Sequence, residues 1–269
     1  ADLLGATPMD RPEDVEVNPV NGAVYVMLTK NADRTAAQRS PANPRAQNKA
    51  GQIVEMTAPK GDHSAPVFAW DMFLLAGRRD DPSTSYHPAT GKNSWLACPD
   101  NCAFDRQGRL WITSDGAEDF DIAEGIWATD VSGAGRALLK RFLRAPVGAE
   151  ICGPFFNPDD KYLFCSVQHP ADGSSFEQPS TRWPDFEQKL PPRPAVVAVE
   201  SACCRSSIRL GPQRPKTHPV QRAGAVAAAA TGAACSGITA MGAGSSTRNT
   251  VPLPGVDSSV SVPPIRATI

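Results

Sequence analysis

The sequence predicts an all-β protein of the β-propeller class, formed by an incomplete set of blades and followed by a disordered C-terminal tail. Three observations support this prediction: a hairpin pattern that occurs three times, the spacing of the hairpin turns, and a change in composition near residue 200. No long amphipathic helix pattern interrupts the strand candidates, which favours a fold made of sheets.

The repeated pattern is a short apolar strand, a polar turn containing Asn or Asp, and a second strand with alternating apolar residues. It occurs at Val15–Leu28, Cys102–Asp115 and Pro154–Gln168. Two strands joined by such a turn are typical of β-hairpins. Further strand candidates lie between the hairpins, at Gly51–Met56, Val67–Leu75, Gly125–Asp130 and Ala137–Leu143.

The hairpin turns are spaced at intervals typical of propeller blades. The turn residues Asn18, Asp105 and Asn157 are 87 and 52 residues apart. With a repeat of about 45 residues, the first interval predicts two blades and the second predicts one. Residues 1–199 then hold four blades at most. Because a propeller closes its ring to remove sheet edges, an incomplete ring is expected to misfold or associate.

The composition changes at the end of the last hairpin region. Every Phe, Trp and Tyr precedes residue 200, and residues 200–269 carry seven basic and two acidic side chains among Ala, Gly, Ser, Thr and Pro. Such a segment buries too little apolar surface to offset its ordering entropy, so we expect disorder. The predicted domains are a partial propeller at 1–199 and a tail at 200–269. An out-of-frame reading of a GC-rich gene is one interpretation of this tail.

The overall charge and hydropathy exclude several classes of protein. The chain has 27 Lys and Arg against 28 Asp and Glu, a net charge of −1. Nucleic acid is therefore not an expected partner, because phosphate-backbone binding needs a basic excess. No apolar run reaches the ~18 residues of a transmembrane helix, so no transmembrane segment is predicted. The opening residues contain no export signal.

Carboxylates precede each of the three repeated hairpins. Arg11 and Glu13 stand before the first, where Arg11 is suited to a bidentate contact with phosphate and Glu13 to a hard cation. Asp100 and Asn101 precede the second, and Glu150 precedes the third. If these positions meet at a common axis, unpaired carboxylates would repel one another, so convergence implies a metal. The alternatives are a charged surface loop at Arg11–Glu13 and an ordinary strand-entry turn at Asp100–Asn101.

A second acidic cluster follows the second hairpin. The residues Asp115, Glu118, Asp119 and Asp121 lack the ligand spacing of a complete calcium loop. We therefore expect a solvated loop here. The four histidines share no metal-ligand spacing.

These segments together resemble the PhoX family of calcium-dependent alkaline phosphatases. The resemblance rests on RPE at Arg11–Glu13, LTKNADRT and NPRAQNKAGQIVEM in the first hairpin region, then CPDNCAFDRQGRLWITSD, GAEICGPFFNPDDKYLFCSVQHP and the final RPAVVAV. It runs in order through nearly all of residues 1–199 and does not extend into 200–269.

The resemblance implies a six-bladed propeller with a central cluster of Ca²⁺ and Fe³⁺ that hydrolyses small phosphate monoesters. It implies a periplasmic or extracellular location. By motif position, Arg11 is the implied catalytic, phosphate-contacting arginine. Glu13, Asp100 and Glu150 are the implied metal ligands, and Asn101 is placed with the substrate.

The sequence aligns with the C-terminal part of such a phosphatase, which leaves the activity of this chain open. Two other functions compete with the phosphatase. One is a calcium-dependent lactonase-type propeller, which needs no arginine beside the metal. The other is a non-catalytic propeller fragment, which binds no iron and turns over no substrate.

Overall fold

The computed structural model describes residues 2–201, 238–241 and 264–265. Within these residues the fold is all-β, with strands in three antiparallel sheets that we call the first, second and third blades. Short 3-10 helices interrupt the connections at Asp2–Leu4, Ala36–Gln38, Pro59–Gly61, Ala117–Phe120 and Gly133–Gly135.

Each blade is a meander in which strands adjacent in sequence are hydrogen-bonded neighbours. The first blade contains β1 (Pro12–Val17), β2 (Val24–Leu28), β3 (Gln52–Thr57) and β4 (Ala69–Leu75). The second contains β5 (Pro99–Phe104), β6 (Leu110–Ser114), β7 (Gly125–Thr129) and β8 (Lys140–Arg144). The third contains β9 (Glu150–Phe156), β10 (Tyr162–Gln168), β11 (Ala195–Ser201), β12 (Ile238–Met241) and β13 (Pro264–Ile265).

The blades stack as an incomplete propeller. The first strand of each blade is innermost, with β1 against β5 and β5 against β9. This arrangement confirms the predicted fold class and the three predicted hairpins. The blades of the described residues form an open arc of three rather than a closed ring.

The expectation of two blades between Asn18 and Asp105 is wrong. That interval contains one blade and two long connections, residues 29–51 between β2 and β3 and residues 76–98 between β4 and β5. The distance between turns does not distinguish loop residues from strand residues. Two long loops therefore added about as many residues to this interval as a second blade would.

The second blade is buried on both faces. All five residues of β6 are buried, and alternate side chains enter different cores. Leu110 and Ile112 pack with Tyr25 of the first blade, whereas Trp111 packs with the third blade beside Leu163. A strand covered on both sides needs apolar residues without alternation. The run Leu-Trp-Ile at 110–112 meets that requirement.

Most of the predicted tail lies outside the described residues. The two described segments, β12 and β13, extend the third sheet in its own plane, with β12 paired to β11. The predicted disorder of residues 200–269 therefore remains a prediction. None of the helices in the described part of the chain is long and apolar enough to cross a membrane.

The Ile112 side chain provides a test of the core between the first and second blades. It is fully buried, and Ile112→Ala removes apolar contacts and leaves a cavity. We expect the free energy of unfolding to fall by about 2–5 kcal/mol. Urea unfolding measures this change, with Val67→Ala as the control because Val67 is 72% exposed. Equal effects of the two substitutions would contradict the described packing.

Candidate functional site

The predicted site residues lie at one edge of the blades. Each inner strand begins at this edge, and its antiparallel neighbour ends there. Pro12 pairs with Leu28, Pro99 with Ser114, and Glu150 with Gln168. The edge therefore carries both the residues that open β1, β5 and β9 and the residues that close β2, β6 and β10.

Two side chains fix the inner strands relative to one another. Asp14 on β1 accepts a hydrogen bond from the Cys102 backbone N–H on β5, at 2.8 Å. The Asn101 amide oxygen on β5 accepts one from the Gly153 N–H on β9, also at 2.8 Å. Because each bond joins a side chain to the backbone of the next inner strand, the three blades hold a defined register at this edge.

Arg11 lies immediately before β1 and is held by two carboxylates. Its guanidinium forms ion pairs with Glu13 and, at 3.2 Å, with Asp115 at the end of β6. The Arg11 side chain is 49% exposed. Ion pairs between exposed groups contribute little free energy. An anion with better geometry can therefore compete for this guanidinium.

A buried polar network positions the backbone before Arg11. The Asp10 carboxylate is fully buried and accepts bonds from Arg34 Nε and Asn48 Nδ2, both at 2.8 Å. The Asn43 side chain accepts a bond from the Asp10 N–H and donates one to the Pro8 carbonyl. All three partners belong to the 29–51 connection, so this long loop anchors the segment that presents Arg11.

Asp100 is the most electrostatically perturbed carboxylate of the edge. The residue is 5% exposed, and no described residue donates a hydrogen bond to its side chain. Burial, followed by the negative charges of Glu13, Glu150 and Asp115, raises the pKa of Asp100 to about 7, although the charge of Arg11 opposes this rise. Carboxylates from all three blades thus share one electrostatic field.

Glu150 opens β9 and accepts hydrogen bonds from three side chains. The Cys152 thiol donates to Oε1 at 2.8 Å, Gln168 Nε2 donates to Oε2 at 2.7 Å, and His169 Nε2 lies 3.3 Å from Oε2. Burial and the Glu150 carboxylate raise the pKa of the Cys152 thiol well above its ordinary value. Burial alone would lower the pKa of His169, but bonds to the Gly148 carbonyl and Glu150 raise it.

In the structure, the charges of Arg11, Glu13 and Glu150 all act on the Asp100 carboxylate. Asn101 instead contacts the backbone of the third blade. The Asn101 amide oxygen faces Gly153, so its predicted role with substrate remains a prediction. A register shift between Pro99 and Cys102 accompanies this placement of Asp100 and Asn101.

Sequence reasoning assigned Asp115 to a solvated loop and did not place Gln168 and His169 at the site. Each stands at or just beyond the end of a second strand, and antiparallel pairing returns these ends to the edge where the inner strands begin. The predicted hairpins could therefore have indicated that residues after the second strands lie near the site. The rest of the acidic cluster behaves as expected, because Glu118, Asp119 and Asp121 are exposed.

The donor chemistry of the site fits a hard cation only in part. Carboxylate oxygens suit Ca²⁺, and the buried Asp100 side chain lacks a donor that would compensate its charge. However, no group of three or more His, Cys, Asp or Glu side chains in the described residues is arranged to hold a metal ion. The described residues therefore do not form a complete metal site by themselves.

An arc of propeller blades with an arginine and several carboxylates at its inner edge defines a candidate site for an anion beside a cation. The family model described as Alkaline phosphatase PhoX matches residues 1–171. The chain belongs to this family. Its similarity to a phosphatase was predicted from the sequence and is confirmed.

A solved structure extends the comparison to three dimensions. "Pseudomonas fluorescens PhoX in complex with vanadate, a transition state analogue" is 34% identical, with a TM-score of 0.63 over 74% of this chain. The match covers 35% of that protein, so this chain spans about a third of the length of its solved relative. Among curated proteins, none matches the chain.

The buried pair of Asp10 and Arg34 provides a test of the anchor before Arg11. Asp10→Asn leaves the buried guanidinium without a countercharge, so the free energy of unfolding should fall by about 3–5 kcal/mol. The double variant Asp10→Asn/Arg34→Met should cost less than the sum of the single variants. Urea unfolding measures both.

The exposed pair of Arg78 and Asp80 is the matched control for this test. Their side chains are 54% and 79% exposed, so Asp80→Asn should change stability by less than about 0.5 kcal/mol. Additive effects of Asp10→Asn and Arg34→Met would show that the buried pair is not coupled.

Proposed function

We propose that this chain contributes the phosphate contact and part of the metal-ligand set to a phosphate-monoester hydrolase. The observation that carries the proposal is the shared field at Asp100, where three blades bring carboxylates and one arginine together. Membership of the PhoX family supports hydrolysis of phosphoesters as the reaction.

Arg11 is the proposed catalytic and substrate-contacting residue. A guanidinium presents two parallel N–H donors to phosphoryl oxygens, and its charge offsets the charge that develops on them in the transition state. Its half-exposed side chain is accessible to a ligand, and two weak ion pairs hold it near the inner edge. The anchored backbone at Asp10 limits the movement of the arginine once phosphate binds. Asn101 is proposed to lie beside the same substrate.

Glu13, Asp100 and Glu150 are the proposed ligands of a Ca²⁺ and Fe³⁺ cluster. When bound, these metals neutralise phosphoryl charge and activate the attacking oxygen. Because the described residues alone hold no group of three or more metal-ligating side chains, we propose that the remaining ligands come from outside them. Small phosphate monoesters are the proposed substrates, in the periplasm or the extracellular space.

A chain that binds metal or phosphate without hydrolysis is the second candidate. The specific observation in its favour is that no group of three or more His, Cys, Asp or Glu side chains in the described residues is arranged to hold a metal ion. The two candidates differ in turnover, which an assay on the purified chain resolves.

The phosphatase proposal predicts calcium-dependent hydrolysis of p-nitrophenyl phosphate. Arg11→Ala should lower kcat/KM at least 100-fold, because it removes a charge complementary to the transition state. Arg78→Ala is the matched control, since Arg78 is exposed and far in sequence from the site. Elemental analysis of the same samples reports calcium and iron content.

Three outcomes would oppose this proposal in different ways. Equal loss in Arg11→Ala and Arg78→Ala would remove Arg11 from the site. Bound metal without turnover would favour the second candidate. Turnover of lactones in place of phosphate esters would assign the site to a different hydrolase class.

If Asp100 is a calcium ligand, Asp100→Asn should affect the stability of the fold differently in the absence and in the presence of calcium. Without calcium, Asp100→Asn should be no less stable than the wild-type chain, because it removes a buried charge that lacks a donor. With calcium, the wild-type Tm should rise through binding to the folded state, and the variant should gain less.

Thermal unfolding with EDTA and with millimolar calcium measures both effects. Glu177→Gln, at an exposed position, should respond to calcium as the wild-type chain does. A variant Asp100→Asn that gains the full calcium-dependent rise in Tm would contradict the ligand role.

A further inference from the structure

The Glu150 carboxylate is held by side chains at the open end of the β9–β10 hairpin. Glu150 opens β9, whereas Gln168 ends β10 and His169 follows it directly. The Glu150 side chain is only 16% exposed, and the His169 side chain is 47% exposed. The proposed function uses Glu150 as a metal ligand and gives Gln168 and His169 no role.

The two oxygens of the Glu150 carboxylate have different partners. Oε2 accepts a hydrogen bond from Gln168 Nε2 at 2.7 Å and lies 3.3 Å from His169 Nε2. Among the described residues, Oε1 accepts only the Cys152 thiol, at 2.8 Å. Each carboxylate oxygen has two lone pairs, and a thiol is a weak donor. Nitrogen donors therefore occupy Oε2, and Oε1 is the oxygen with capacity for a cation.

The His169 ring is also held on its other side. Its Nδ1 atom lies 3.1 Å from the Gly148 carbonyl oxygen. The Gly148 N–H donates to the Glu118 carboxylate at 2.9 Å, and Glu118 belongs to the connection between β6 and β7. Three polar contacts therefore link this connection of the second blade, through Gly148 and His169, to Glu150.

The two segments that carry these contacts touch each other through their backbones. The Ala171 N–H donates to the Val147 carbonyl at 2.8 Å. Gly148 has a φ of +71°, and a Cβ there would lie 2.6 Å from the Asp172 backbone nitrogen. Glycine is the residue that permits this approach. The imidazole ring thus lies between two fixed groups, the Gly148 carbonyl and the Glu150 carboxylate.

We infer, on the basis of the proposed function in which Glu150 binds a cation, that His169 is a positioning residue for Glu150 and acts together with Gln168. The two nitrogen donors fix the carboxylate through Oε2 and leave Oε1 for the cation. A free Glu side chain loses rotational freedom when it binds a cation, whereas this carboxylate is already ordered. Hydrogen bonds to a ligating carboxylate typically change metal affinity by roughly 10–100-fold.

Two substitutions at residue 169 separate the two contacts of the imidazole ring. Glutamine can place its amide nitrogen near the position of Nε2, so it keeps a donor for Glu150. Asparagine is shorter, and its amide nitrogen reaches only the position of Nδ1, beside the Gly148 carbonyl. The positioning role therefore predicts that His169→Gln keeps the calcium affinity that His169→Asn loses.

Backbone strain ranks the same two substitutions in the opposite order. His169 has a φ of +36°, in the left-handed region that Asn adopts more readily than other residues with a Cβ. Without calcium, His169→Asn should therefore be at least as stable as His169→Gln. A purely structural role for residue 169 favours Asn, whereas a positioning role favours Gln.

The test is calcium binding to the full chain after metals have been removed with EDTA and the EDTA has been dialysed away. Isothermal titration calorimetry with calcium chloride measures the Kd, and urea unfolding of the metal-free samples measures stability. We expect His169→Asn to raise the Kd roughly 10–100-fold, and His169→Gln to recover most of this loss. Glu150→Gln should weaken binding at least as much as His169→Asn, because the histidine acts through that carboxylate.

His63→Asn is the matched control. His63 is also an exposed histidine beside a glycine carbonyl, with Nε2 lying 2.8 Å from the Gly22 oxygen. It belongs to the connection between β3 and β4, at the opposite edge of the first blade from the site. His63→Asn should bind calcium as the wild-type chain does.

Several results would overturn the inference. Wild-type affinity in His169→Asn would exclude a role for the ring in calcium binding. Equal weakening in His169→Asn and His169→Gln would exclude the Nε2 donor as the cause. These two results leave the proposed function intact. A wild-type chain that binds no calcium, or a Glu150→Gln variant that binds it as the wild type does, would instead refute the ligand role of Glu150, and the positioning role with it.

Discussion

The structure depends on the burial of both faces of the second blade. A single antiparallel sheet has two faces to protect from water, and neighbouring sheets protect them here. The unbroken apolar run of β6 satisfies both neighbours at once, because alternate side chains enter different cores. Within the described residues, this stack brings the inner strands side by side, and their ends meet at one edge.

Several carboxylates lie at that edge. Hydrogen bonds and an ion pair of neighbouring residues hold the strands and the loop that carry these carboxylates. Asp14 and Asn101 use backbone N–H groups of the next blade to hold the inner strands in register. Asp10 and Arg34 neutralise each other behind the site and hold the approach to Arg11. Asp100, in contrast, accepts no side-chain hydrogen bond and forms no ion pair within the described residues, and only the charge of Arg11 opposes that of its acidic neighbours. The repulsion between carboxylates at this edge therefore acts most strongly on Asp100, and a cation bound there would reduce it most.

The strands were predictable from the repeated apolar hairpin pattern, and the site was predictable only where its residues precede a repeated hairpin. Glu13, Asp100 and Glu150 share a position before three similar hairpins, so one pattern identifies all three. Asp115 and His169 follow the partner strands, and only the antiparallel pairing places them beside the others. The blade count was overestimated because the 29–51 and 76–98 connections have the length of strands without their pattern.

Antiparallel pairing at this edge also affects how the site can change during evolution. Each blade delivers two chain segments there: the entry to its inner strand and the exit from the neighbouring strand. The entry segments are tied to the next blade through Asp14 and Asn101, so insertions in them would disturb blade packing. The exit segments, which follow Ser114 and Gln168, lead into the connections at residues 115–124 and 169–194. Changes of length beyond Asp115 and His169 would therefore disturb the packing of the inner strands less than changes in the entry segments.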